Sequence, residues 1–159
     1  WAFVSFPIAI SGNIETILDD PATDWDVAKW FDGSSQRWMT YRKGATTNTF
    51  TNIDNQMGVW VHLTIVVGDK LTTGLGGNFP ASQVQINLYA GWNMVGYPSQ
   101  TPMAANLALA GTGATIISVY IPATPYIQDF TDLSLVTMDN GNAYWVFVPA
   151  GITWDVPFP

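Results

Sequence analysis

The sequence WAFVSFP at residues 1–7 returns as WNMVGYP at residues 92–98, and GVWVHL at residues 58–63 returns as AYWVFV at residues 143–148. The two pairs keep the same order and nearly the same spacing, 91 and 85 residues apart. A repeat of this kind indicates a duplicated unit and takes precedence over other interpretations of the fold. The shared positions are apolar and aromatic, and they repeat no nucleophile, acid–base pair or ligand cluster. Such positions are typical of repeated units with a structural or a binding role.

The repeated blocks are rich in aromatic and β-branched residues, which favours strands. We predict a mostly β protein of two tandem, internally duplicated small repeats, barrel-like or sandwich-like, each with one short helix. Repeat A covers residues 1–77, a linker covers 78–83, and repeat B covers 84–159. The helices are predicted at 14–19 and 104–110, the strands of repeat A at 1–7, 27–31, 36–41, 58–64 and 70–72, and those of repeat B at 84–88, 92–98, 116–121, 126–130, 143–148 and 152–156.

The composition is poor in charge and rich in rings. Charged residues make up 11% of the 159 positions and aromatic residues 14%, whereas a typical soluble domain has about 25% charged residues. Thr, Asn, Ser and Gln carry the polarity instead, a balance typical of extracellular surface and fibre proteins. Cysteine is absent, which excludes disulfides, thiolate metal sites and Cys nucleophiles. We therefore expect an extracellular or cell-surface location.

The charge pattern also limits the partners. The net charge is −7, and all five Lys and Arg residues lie before residue 71. Phosphate recognition needs clustered basic side chains, so we expect no nucleic-acid partner. No run approaches 18 apolar residues, so we expect no membrane span. Because the chain begins inside a strand-like motif, we also expect a processed product or an excised fragment.

Two motifs resemble known repeats. GWNMVGYP at residues 91–98 and GNAYWV at residues 141–146 resemble the "GWN-apolar-apolar-S/G-x-P" and "G-x-G-Y-W-I/V" segments of β repeats in large secreted or surface proteins of bacteria and archaea. The similarity covers nearly the whole chain. Repeat A departs from the pattern at Trp1, which lacks the preceding Gly, and at residues 58–60, which lack the Tyr. Repeat B lacks the Trp-containing middle hairpin. The resemblance implies an extracellular β module without catalytic residues.

Few residues could support catalysis or metal binding. His62 is the only His and Glu15 the only Glu, whereas glycoside hydrolysis needs two opposed carboxylates and a structural zinc site needs four ligands. We therefore predict no enzyme activity and no cofactor. One alternative stays open, because a dense group of acidic residues can bind Ca²⁺, although its spacing does not match the D-x-[DN]-x-[DN]-G loop. The group consists of Asp19, Asp20, Asp24 and Asp26.

Two functions fit this sequence. The first is a structural protein, a surface-filament subunit or repeat module that assembles with copies of itself, head to tail, by strand pairing. The second is a carbohydrate-binding or adhesive module that uses exposed aromatic rings. In both cases we expect Trp92 and Trp145, in the repeated strands, to be core residues. The assembly residues would be Trp1 and Phe3 at an open edge and Ile152, Trp154, Val156 and Phe158 on a donor strand. The glycan-stacking residues would be Trp25, Trp38, Tyr41 and Tyr126.

Overall fold

The structure is a computed structural model that describes residues 1–19, 24–65, 76–121 and 123–158. It is mostly β, as predicted, with two short α-helices. None of the sheets in these ranges closes on itself, so the barrel-like alternative is wrong. The predicted strand at 70–72 lies outside the described residues. Within the same ranges, no helix has the length and apolar character needed to cross a membrane.

The first half contains a four-stranded antiparallel sheet, called sheet I here. Its strands lie in the order β1-β6-β3-β4, so the first strand of this sheet along the chain pairs with the last strand of the same sheet. A small hairpin-like pair, β2 and β5, lies beside the helix. The elements are β1 (Ala2–Val4), β2 (Ser11–Asn13), α1 (Ile14–Ile17), β3 (Asp24–Asp32), β4 (Arg37–Arg42), β5 (Asn52–Asp54) and β6 (Val59–Ile65).

The second half contains another four-stranded antiparallel sheet, called sheet II here. Its order is β8-β13-β10-β11, again with the first strand beside the last and then the two middle strands. Two further pairs are β9 with β12 and β7 with β14. The elements are β7 (Gln85–Leu88), β8 (Gly91–Gly96), β9 (Met103–Ala104), α2 (Ala105–Ala108), β10 (Ile116–Tyr120), β11 (Ile127–Phe130), a 3-10 helix (Leu133–Leu135), β12 (Thr137–Met138), β13 (Ala143–Val148) and β14 (Ile152–Asp155).

Each half has its own hydrophobic core on one face of its sheet. Both cores hold a tryptophan that is 1% exposed and that donates its indole N–H to a carbonyl at the end of the local helix. Trp25 donates to Leu18 at 3.1 Å, and Trp154 donates to Ala108 at 2.7 Å. A buried indole N–H needs such a partner. Trp25 lies on β3, whereas Trp154 comes from β14, a strand without a counterpart among the described elements of the first half.

Both helices are shorter than predicted, at four residues each. The side chain of Asn13 accepts a hydrogen bond from the backbone N–H of Glu15 and caps α1. Helix α2 starts at Ala105 without a side-chain cap, and Gly111, with φ of +82°, follows its C-terminal turn. The predicted linker at 78–83 contains no helix or strand.

The asparagine of the GWN motif has a structural role. Asn93 is 3% exposed, and its amide nitrogen donates to the carbonyls of Tyr89 and Gly91 at 2.8 and 3.2 Å. Its amide oxygen accepts from the backbone N–H of Tyr89 at 2.8 Å. The side chain thereby ties the connection between β7 and β8, where Gly91 has a φ of +104° that favours glycine.

Candidate binding cleft

Strand register places one row of side chains in each sheet, including a tryptophan, on the face opposite its core. In sheet I, Trp60 pairs with Phe3 on one side and Lys29 on the other, and Lys29 pairs with Thr40. Residues directly opposite in neighbouring strands lie on the same face, and successive residues alternate between faces. Val59 and Val61, which flank Trp60, are therefore fully buried in the core.

Sheet II has a corresponding row. Trp145 pairs with Met94 on one side and Ser118 on the other, and Ser118 pairs with Asp129. Val146 is fully buried beneath this row, whereas Trp145 is half-buried. Each sheet thus carries one face for its own core and a second face that remains for other contacts.

The two second faces line an open cleft of about 850 Å³ between the halves. This volume lies within the range of small-molecule and cofactor sites, about 300–1,000 Å³. Five residues line it from each half, and five of the ten are tryptophans. The first half contributes Trp1, Lys29, Phe31, Trp38 and Trp60, and the second half contributes Trp92, Ser118, Ile127, Asp129 and Trp145.

Contacts between aromatic rings hold the walls of the cleft in place. The ring of Trp145 lies 5.4 Å from that of Trp38 and 6.0 Å from that of Trp92, both nearly edge-on. Across the boundary, Phe31 lies 5.1 Å from Trp145, and Trp60 lies 5.4 Å from Tyr120. Edge-to-face pairs at these separations are favourable, so the rings support one another in fixed orientations.

The halves also meet through backbone contacts. Val4 forms an isolated antiparallel bridge with Asn142, and Met57 forms one with Val95. The Ser5 N–H donates to the Gly141 carbonyl at 3.0 Å, and the Gly96 N–H donates to the Gln56 carbonyl at 2.8 Å. These contacts join the end of β1 to the second half and the end of β8 to the first.

Glutamine 36 adds a clamp beside the cleft. Its amide nitrogen donates to the carbonyls of Gly33 and Trp92 at 2.7 and 2.9 Å, and its amide oxygen accepts from the Trp92 N–H at 3.1 Å. Gln36 has a φ of +53°, in the turn between β3 and β4. This one side chain therefore fixes the backbone of a cleft tryptophan from the other half.

The cleft contains one basic and one acidic side chain. Lys29 is half-buried, with its ammonium 5.7 Å from the centroid of the Trp1 ring, and Asp129 is exposed. Among the described residues, Lys43 forms an ion pair with Asp24, and the His62 Nδ1 lies 2.6 Å from a carboxylate oxygen of Asp26. Within that part of the chain, Lys29 and Asp129 therefore remain available to a ligand.

The predicted glycan-stacking residues differ in exposure and in their position relative to the cleft. Trp38 is 50% exposed and lines the cleft. Trp25 is a core residue, so its assignment to a stacking surface was wrong. Tyr41 is also buried, with its hydroxyl donating to Glu15 at 2.6 Å, and is equally unsuited to stacking. Tyr126 is 54% exposed but is not among the residues that line the cleft.

The predicted assembly residues are largely engaged within the chain. Phe3 is buried and stacks on Trp60 at 4.6 Å, and Trp1 lines the cleft. The supposed donor strand pairs with β7 from Ile152↔Leu88 to Asp155↔Gln85, and Trp154 and Val156 are buried. The prediction that this strand is a free donor is therefore wrong, because pairing with another chain would expose its core side chains. Ile152 and Phe158 are 38% and 46% exposed.

The proposed calcium ligands do not form a cluster in the described residues. Asp24 and Asp26 lie on β3 and each pairs with a cationic or ionisable partner, Lys43 and His62. Asp19 is exposed, and Asp20 lies outside the described residues. In the ranges that the structure covers, no three His, Cys, Asp or Glu residues are grouped so as to hold a metal ion.

The sequence predicts Trp92 and Trp145 as core residues, and this is met in part, because Trp145 packs against a buried cluster that includes Phe3 and Met94. Both are half-buried and line the cleft, as does Trp60. A signal was present, since Trp60 and Trp145 alternate with residues that are themselves good core candidates. A strand that is apolar on both faces must cover something on each of them.

Comparison of the chain with protein-family profiles, with curated proteins and with solved structures found no match.

Proposed function

We propose that this protein is an extracellular or cell-surface carbohydrate-binding or adhesive module that holds a glycan in the cleft between its halves. The observation that carries the proposal is the set of five tryptophans around one cleft of about 850 Å³. The apolar C–H face of a pyranose ring fits against an aromatic face, and the few polar groups of a binding site fix its orientation.

The polar groups of the cleft suit hydroxyl-bearing ligands. The Lys29 ammonium can only donate hydrogen bonds, the Asp129 carboxylate can only accept them, and the Ser118 hydroxyl can do both. A sugar hydroxyl complements all three. A phosphate-tracking ligand is disfavoured, because Lys29 is the single basic residue among the lining residues and the chain carries a net charge of −7.

The cleft is assigned a binding role rather than a catalytic one. Its lining residues include one carboxylate, Asp129, whereas most glycoside hydrolases place two carboxylates on either side of the scissile bond. The non-enzymatic assignment made from the sequence therefore stays a prediction.

The two halves are proposed to be copies of one β module that meet about a pseudo-two-fold axis. The shared strand order of sheets I and II supports this proposal. The bridges support it too: the repeat aligns Val4 with Val95 and Met57 with Asn142, so the bridge between Val4 and Asn142 is the counterpart of that between Val95 and Met57. In this arrangement the cleft lies between equivalent faces of the two copies.

Head-to-tail assembly into a filament stays a prediction, but it needs a route other than donation of residues 152–156, which already pair with β7. Size-exclusion chromatography and electron microscopy of the purified chain test whether it assembles into filaments. Fibres that persist after Ile152 and Phe158 are both replaced by Ser would place the contact elsewhere.

The binding proposal is tested with a glycan array followed by calorimetric titration of the soluble oligosaccharide that scores highest. The variant is Trp38→Ala and its matched control is Tyr126→Ala, since the two side chains are 50% and 54% exposed and only Trp38 lines the cleft. We expect at least a tenfold loss of affinity for the first, about 1.4 kcal/mol, and no change for the second. Equal effects, or an array without a ligand, would overturn the proposal.

A further inference from the structure

We infer that the glycan is acidic and binds in one direction, with a carboxylate-bearing ring beside Lys29 and an uncharged ring beside Asp129. The inference rests on the proposed function, and it adds the chemical class of the ligand and its orientation. The observation behind it is how charge is distributed over the two walls of the cleft.

The walls present equivalent positions with different chemistry. Along the row in sheet I the third and fourth positions are Lys29 and Thr40, and along the row in sheet II they are Ser118 and Asp129. The tryptophans are matched in the two rows, Trp60 with Trp145. The apolar surfaces are thus alike, whereas a positive charge occurs on one wall and a negative charge on the other.

Lys29 is placed to select an anion. Its side chain is half-buried between aromatic residues, and it has no acidic partner among the described residues. An ammonium in such a setting gains a Coulomb attraction from a carboxylate, in addition to the hydrogen bond, that a neutral hydroxyl does not provide. A uronic acid ring on the first wall would therefore gain an interaction that a neutral ring cannot make.

Asp129 excludes the same group from the second wall. A carboxylate there would face a like charge, which is unfavourable at short range. A ring that presents hydroxyl donors is accepted instead. The two charges together reject the reversed orientation and also disfavour a glycan with acidic groups on both rings.

The net charge of −7 does not oppose this selection under ordinary conditions. At about 0.15 M salt the Debye length is about 8 Å, so a ligand inside the cleft senses Lys29 and Asp129 more than the distant aspartates. We therefore expect acid selectivity at physiological ionic strength and weaker binding of acidic glycans when salt is lowered.

The test uses three disaccharides of one linkage: glucuronic acid joined to glucose, its carboxyl-reduced neutral form, and the form with two uronic acids. The linkage is chosen from the array described above. Affinities are measured by titration calorimetry for the wild-type chain and for Lys29→Gln, Lys29→Arg, Asp129→Asn and Lys43→Gln. Lys43→Gln is the matched control, because Lys43 is an exposed lysine outside the cleft that pairs with Asp24.

We expect wild type to bind the mono-acid about tenfold more tightly than the neutral disaccharide. Lys29→Gln should abolish this preference by weakening binding of the mono-acid more than binding of the neutral disaccharide, whereas Lys29→Arg and Lys43→Gln should retain it. Asp129→Asn should tighten binding of the diacid. Equal wild-type affinity for acidic and neutral forms, or a parallel loss of both in Lys29→Gln, would overturn the inference while leaving the binding function intact. Binding of none of the three would overturn both.

Discussion

The ring of Phe31 in the first half lies 5.1 Å from the ring of Trp145 in the second. The counterpart of this contact joins Tyr120 in the second half to Trp60 in the first, at 5.4 Å. Each half thus inserts one aromatic ring of a middle strand against the repeated tryptophan of the other. This reciprocal contact joins the two sheets beside the cleft and couples the stability of the boundary to the shape of the site.

Close backbone approach at Gly58 should make the boundary intolerant of a methyl group. A Cβ there would lie 2.8 Å from both the Ala143 Cβ and the Val95 carbonyl oxygen. We expect Gly58→Ala to lower the free energy of unfolding by about 1–3 kcal/mol, the usual cost of overpacking. Urea denaturation followed by far-UV circular dichroism measures it. Gly76→Ala is the control, because no atom of the residues that the structure describes lies within 4 Å of the added Cβ.

Truncation of Trp154 should be among the most destabilising single changes. The side chain is 1% exposed, and its ring is nearly parallel to that of Tyr97, with 6.3 Å between the ring centroids. Its indole N–H donates to the Ala108 carbonyl. We expect Trp154→Ala to cost about 3–5 kcal/mol, measured by thermal and urea unfolding. The matched change in the same terminal segment, Phe158→Ala, removes a side chain that is 46% exposed and should have little effect. Similar small losses for both would mean that β14 does not belong to the core.

Loss of the Gln36 clamp should loosen Trp92. Replacing Gln36 with Ala removes all three hydrogen bonds of its side chain, including both to the Trp92 backbone. A typical net hydrogen-bond contribution is about 0.5–1.5 kcal/mol, so we expect a loss of about 1–3 kcal/mol together with altered tryptophan fluorescence. Gln128→Ala, at an exposed position on β11, is the control. Unchanged fluorescence in Gln36→Ala would contradict the clamp.

Two aspartates should give opposite pH dependences. Burial acts to raise the pKa of Asp32, but hydrogen bonds from Ser35 and Ser34 outweigh it and leave that pKa below its usual value of 3.8. The folded state therefore releases this proton more readily than the unfolded state. The resulting stability is present above pH 3.8 and is lost as pH falls through the lower folded pKa. We expect the free energies of unfolding of wild type and Asp32→Asn, measured with urea between pH 2 and 6, to converge in acid. A difference between them that does not change with pH would contradict this assignment.

Burial raises the pKa of Asp54 above 3.8, despite hydrogen bonds from the backbone N–H groups of Gln56 and Met57. Here the folded state retains the proton to higher pH than the unfolded state. The associated stability is present below the unfolded pKa and is lost as pH rises through the folded pKa. We therefore expect Asp54→Asn to stabilise the chain relative to wild type at pH 7, with the difference shrinking below pH 4. A variant less stable at neutral pH would contradict this assignment.

Much of the architecture could be predicted from the sequence. The predicted strands at 27–31, 36–41, 58–64, 116–121 and 143–148 overlap the main strands of sheets I and II. Alternation and β-branched residues specify strand conformation locally. The length of α2 was overestimated because its Ala-rich segment favours helix locally, whereas in the structure α2 ends at Ala108, whose carbonyl accepts from the Trp154 indole N–H.

The candidate site was only partly predictable: of the four predicted stacking residues, Trp38 lines the cleft and Tyr126 is exposed outside it. Trp25 and Trp38 are both strand residues that follow a charged residue, yet one is 1% exposed and the other 50%. The difference depends on which face of sheet I receives α1, and that face is set by packing of distant segments. The residues next to each tryptophan in the chain do not specify this packing.

The sequence by itself determined the strands, the recurrence of their aromatic residues and the shortage of charge, because these follow from local conformational preference and composition. Only the tertiary structure decided which side of each strand meets a core and which meets the other half. Val59 and Val61 turn toward the core of the first half, and Trp60 turns toward the cleft. A two-residue period assigns alternate residues to opposite faces of a strand, but it does not specify which face meets the core. That choice depends on the long-range contacts that bring the two sheets together.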